Sequence, residues 1–174
     1  MLALQLIGKS LDRVELGLLY VGVLATFLMM CLTSADALSR YLLHWPITGA
    51  YEISEKYLMV AVVFLGLPYA YRGGGFIRVT FLVDRLSPSL KLLANYFAHI
   101  ISLVFCAAFV AATGLQAVRA LSDDTTFSAL PLPIGPAYWL VPLGFFFLTV
   151  LLIFDLRRVR TGDSFMFVQD APTS

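Results

Sequence analysis

Few residues in this chain are of types that perform chemistry, and their spacing narrows the options. The histidines are His44 and His99. A haem held between helices needs two imidazoles at similar depth on facing spans. His44 lies beyond the end of one apolar run, and His99 sits about two turns into another from the opposite end. They cannot bracket one macrocycle, and His99 is read as hydrogen-bonding inside a helical bundle. Cys31 and Cys106 are isolated, each within an apolar run. Without a CxxC pair, neither dithiol exchange nor a zinc site is supported, and both read as small buried residues. No HExxH, GxSxG or P-loop occurs, and no Lys-Ser or Lys-Thr follows Gly73-Gly74-Gly75. No catalytic residue, cofactor or metal is expected.

What remains is a set of ionisable groups at the ends of apolar segments. Asp36 and Arg40 are four apart, as are Glu52 and Lys56, so each pair shares a helical face. Glu55 has no such neighbour. Two readings of the acids stand. Carboxylates in a first helical turn suit the helix dipole; alternatively, ionisable groups at membrane depth pair across helices. Arg40 is the nearest partner in sequence.

The elements that must position these residues are apolar. Of 174 residues, 60% are hydrophobic and 13% charged, against about a quarter charged in soluble domains. Uncharged runs long enough for a membrane helix, about 20 residues, occur four times. The chain reads as an all-α membrane protein, one domain over residues 1–160. Its spans lie at about 14–43, 49–72, 88–120 and 136–156. A net charge of +1 gives no basic surface for nucleic acid.

Ala35-Asp36-Ala37 mimics a signal-peptidase site. The preceding apolar run is about 20 residues, longer than a signal's core of about 7 to 15, and the helical pattern continues to Leu43. An uncleaved first span is expected. Thr48 is the expected N-cap of span two. The triple glycine stops that span.

Residues 76–86 then form a short amphipathic segment. Val79, Leu82, Val83 and Leu86 share one helical face, while Arg78 and Arg85 lie on another. It is too short to cross, so a helix in the interface is expected, between spans two and three. Ser87 and Pro88 suit the cap and first turn of span three. In the approach to span four, Leu130-Pro131-Leu132-Pro133-Ile134-Gly135-Pro136 cannot be regular helix, and Pro142 should kink the span itself. The tail, 161–174, is polar apart from Phe165–Val168 and is expected to be poorly ordered.

Charge sets the orientation. Lys9, Arg13, Arg72, Arg78, Arg85, Lys91, Arg157, Arg158 and Arg160 fall on one side, and Arg40, Lys56 and Arg119 on the other. Both termini are therefore expected in the cytoplasm, tail included. Trp45 and Trp139 then share the outer interface, where indole rings concentrate.

Several motifs, in this order, are similar to one family. Arg40-Tyr41, Pro46, Glu52, Arg72-Gly73-Gly74-Gly75-Phe76-Ile77-Arg78-Val79 and the stretch from Leu130-Pro131 through Trp139 to Pro142 resemble the small, DctQ-type membrane subunit of tripartite ATP-independent periplasmic (TRAP) transporters. The resemblance covers roughly residues 10–160. Phe76 departs from the histidine that the family commonly places there, so no role of that histidine carries over.

The resemblance implies a non-catalytic subunit in a bacterial inner membrane. Its partners would be membrane lipids, a large multispan subunit holding the substrate and sodium sites, and a periplasmic binding protein delivering an organic acid. Arg40, Glu52, Glu55 and Lys56 would meet those proteins near the outer face, with Arg40 and Glu52 expected to form an ion pair between spans one and two. The 76–86 helix would broaden the scaffold in lipid. The rival readings are an autonomous homo-oligomeric transporter or channel, and a membrane anchor of an enzyme complex.

Overall fold

In a computed structural model, the structure describes residues 2–73, 75, 85, 87–122, 133–159 and 164. Among them there is no β-strand, and four helices are long and apolar enough to cross a membrane. Helix α1 is unbroken from Leu2 to Leu43. At 1.5 Å per residue its 42 residues extend about 63 Å, twice the roughly 30 Å hydrocarbon core. The amphipathic start of the chain thus continues the first span rather than preceding it.

The second span is built from α2 (Ala50–Ile53), a π-helical stretch (Ser54–Met59) and α3 (Val60–Arg72). Its cap differs from the expected Thr48. Gly49 is the N-cap, with φ 81°, a left-handed conformation that glycine adopts without a Cβ penalty. Gly49 O accepts from Ile53 N at 3.0 Å, while no side chain caps the turn. Backbone geometry, not a hydroxyl, starts this helix.

Helix α4 runs from Pro88 to Ser122. The fourth span comprises α5 (Gly135–Tyr138) and α6 (Leu140–Val159), separated at Trp139. The interruption falls three residues before Pro142, and the proline explains the offset. Its nitrogen cannot donate to the carbonyl of Tyr138, four residues back, and its ring crowds that carbonyl. Bonding resumes from Leu143 N to Trp139 O at 3.2 Å.

Packing proceeds from α1 to α3, α3 to α6 and α6 to α4. Among the described residues α1 and α4 make no substantial contact, so the helices form an open row rather than a closed bundle. Ala25 of α1 packs with Ala61 and Leu65 of α3, flanked by Leu18 and Val62. Tyr71, Cys106, Leu148, Leu151 and Leu152 make a second cluster, joining α3, α4 and α6.

The tightest helix contact links Gly144 to Phe64. A Cβ at Gly144 would lie 2.1 Å from the Phe64 carbonyl oxygen. That carbonyl would normally accept from residue 68, which is Pro68 and has no N–H. Pro68 cannot supply that donor, and Gly144, lacking a Cβ, lets α6 close onto the carbonyl.

An open row buries little. In the most apolar window of each span, at most 33% of residues are buried, and only 11% in the first and third. Tyr20, Val23, Leu24, Phe27 and Met30 of α1, and Phe97, Val104 and Phe105 of α4, are exposed. Several hydroxyls on these helices are satisfied internally. Thr26 donates to Gly22 O, Thr33 to Met29 O, Thr113 to Phe109 O and Thr149 to Phe145 O. Such back-bonding removes the cost of a bare hydroxyl in hydrocarbon.

Candidate functional site

Polar side chains collect at the two ends of the helix row. The first group is at the end of α1 and the start of the second span. Asp36 and Arg40, one turn apart on α1, form an ion pair at 2.7 Å. The other oxygen of Asp36 accepts the Ile47 N–H at 2.8 Å, and Ser39 donates to Trp45 O at 2.6 Å. Two side chains of α1 therefore fold the 44–48 connection back over the helix end. His44, at φ 55°, makes the reversal.

This arrangement corrects the expected Arg40–Glu52 pair: Arg40 is held by Asp36 on its own helix. An i,i+4 spacing needs no interhelical fit, so the local partner wins. Glu52 and Lys56 are half-buried and Glu55 is exposed, the last two on the π-helical stretch. A π-turn shifts the facing of every later residue relative to an unbroken α-helix. Tyr57, on the same stretch, donates its hydroxyl to Pro133 O, fastening the second span to the start of the fourth. Tyr41, Trp45 and Tyr51 are strongly exposed around this end.

The second group lies at the opposite end, and the sequence reading did not single it out as a site. Arg72, the last residue of α3, reaches α1 and takes both acids there. Its Nη1 donates to Asp12, and its Nε lies 3.0 Å from Glu15 Oε2. Glu15 is buried, and its second oxygen has no hydrogen-bond partner among the described residues. Nearby, the buried Asp155 of α6 accepts from Tyr71 at 2.7 Å and from Ser164 at 2.5 Å. His99 is fully buried, with Nε2 bonded to Leu152 O at 2.8 Å. A carbonyl only accepts, so Nε2 is the donor in this bond.

A signal for these residues existed in the sequence. Asp155 is the lone acid of the fourth apolar run, Glu15 directly precedes the first, and Arg72 ends the second. Charge counting assigned Arg72 to the membrane surface and passed over its pairing.

Of the expected interfacial helix, Arg78, Val79, Leu82, Val83 and Leu86 lie outside the described residues; Arg85 is exposed. Among the described residues no cluster of three metal-ligating side chains occurs.

Residues 29–162 match the DctQ component of tripartite ATP-independent periplasmic transporters. The chain belongs to the DctQ family. The match takes in three of the four spans whole, α1 from Met29 onward, and both polar ends except Asp12, Glu15 and Ser164. No curated protein matches the sequence. As a DctQ-family component the chain is a small membrane part of a transporter, and the family is one of transporter components rather than enzymes. Of the two polar ends, one holds a loop and presents aromatic rings outward, and the other ties four spans together.

Proposed function

We propose that the chain is the small permease subunit of a TRAP transporter and braces the fixed scaffold of a large multispan subunit. The system would carry out sodium-coupled uptake of an organic acid that a periplasmic binding protein delivers. The substrate and sodium sites belong to the large subunit in this reading, and the small subunit holds no cofactor. It resides in a bacterial inner membrane with both termini and the 161–174 tail in the cytoplasm.

One observation carries the proposal: an open row of helices whose spans are mostly unburied. In lipid, apolar exposure alone is inexpensive, but a one-layer row gains little packing, and helix association in membranes depends on packing. A broad surface fixed at both ends by polar contacts suits a brace. A mobile transport domain needs a neighbour that does not follow it. Arg40, Glu52, Glu55 and Lys56, at the end that this orientation places outside, supply charge for contact with the large subunit or the docked binding protein.

The test is a mild-detergent pull-down of the tagged chain from its native membrane, read by mass spectrometry. Recovery of a much larger multispan protein is expected. Recovery of this chain alone, as a stable homo-oligomer, would overturn the proposal in favour of an autonomous channel. Recovery with a soluble enzyme would favour the anchor reading.

A further inference from the structure

We propose that Ser164 is an anchor that fixes the chain beyond the fourth span to the ends of spans two and four, with Asp155 as its socket. Three observations meet here. Ser164 is 1% exposed although it lies in a polar tail. Its hydroxyl donates to Asp155 Oδ2, the same oxygen that accepts from Tyr71 of α3. Val159, which ends α6, is also 1% exposed, so the burial of this end continues past the apolar run.

The chemistry makes the anchor cooperative. A buried carboxylate needs donors, and a hydroxyl bond to an ionised oxygen is about twice as strong as a neutral one. Tyr71 and Ser164 serve one oxygen, so displacing Ser164 leaves Asp155 less satisfied and weakens the clamp between α3 and α6. Conversely, loosening α3 from α6 opens the socket. Ser164 also lies beyond the residue at which the family match ends. The Ser164–Asp155 bond thus has one partner inside the matched residues and one outside them. The anchor requires neither a large subunit nor transport, and stands apart from the proposed function.

Tryptic cleavage after Arg160 reads the anchor, because that bond lies between α6 and Ser164. The full chain in native membranes or mild detergent is digested, and release of the 161–174 peptide is tracked by mass spectrometry. Ser164→Ala should speed release about tenfold, and Ser164→Asp, which sets a carboxylate against Asp155, by more. Tyr71→Phe, which leaves the Ser164 bond in place, should speed it less than Ser164→Ala. Release at the wild-type rate in both Ser164 variants would overturn the anchor. So would equal acceleration at Arg72, Arg78 and Arg85, since that pattern reports general loosening rather than a local latch.

Discussion

Tyr71 of the second span donates its hydroxyl to Asp155 of the fourth at 2.7 Å, and both side chains are sealed from solvent. A carboxylate so placed holds the helices together only while its donors remain. Tyr71→Phe keeps the ring's packing and removes one donor. It should destabilise the chain by about 1–3 kcal/mol, the cost of an under-satisfied buried acceptor. Thermal unfolding in detergent would show this. An unchanged midpoint would mean that water or another group replaces the phenol.

Arg72 poses a harsher case, since it faces two acids. Glu15 is buried beneath it, with Oε2 at 3.0 Å from Nε. Arg72→Ala would strand that carboxylate, and removing one partner of a buried ion pair costs about 3–5 kcal/mol. Arg72→Lys should recover only part, because an ammonium is a point charge and cannot reach Asp12 and Glu15 with separate nitrogens. Adding Glu15→Gln to Arg72→Ala should restore much of the loss by removing the stranded charge. Failure of that rescue would assign the effect to lost packing of the arginine stem.

The spans were legible because membrane helices announce themselves by length and composition alone. Packing partners were not. Nothing in the pattern around Gly144 says that it meets Phe64, because the contact joins two helices far apart in the sequence. Of the charged residues, Asp36 and Arg40 were paired correctly by spacing, a local rule. The assignment of Arg40 to Glu52 failed because it needed geometry that spacing lacks. Ser164 was unreadable, since a serine in a polar tail gives no sign that its hydroxyl meets a buried aspartate.

Gly144 and Gly114 make a matched pair for testing the close contact. A Cβ at Gly144 would meet Phe64 O at 2.1 Å, whereas one at Gly114 meets nothing within 4 Å. Gly144→Ala must push α3 and α6 apart and should cost about 1–3 kcal/mol, as overpacking does. Gly114→Ala should be neutral or stabilising by up to about 1 kcal/mol, the helix-propensity gain. Equal effects at the two positions would refute the packing assigned to α3 and α6.

If the Asp36–Arg40 pair shapes the 44–48 connection, Arg40→Asp alone should place two carboxylates one turn apart and loosen that loop. The exchange Asp36→Arg with Arg40→Asp restores the ion pair but not the Ile47 N–H bond, since arginine has no acceptor. Uptake by the assembled transporter should therefore fall with the single change and recover only in part with the exchange. Glu52→Arg combined with Arg40→Glu should give no rescue, because those two side chains are not partners. Full recovery with that second combination would reinstate an interhelical pair and displace the local one.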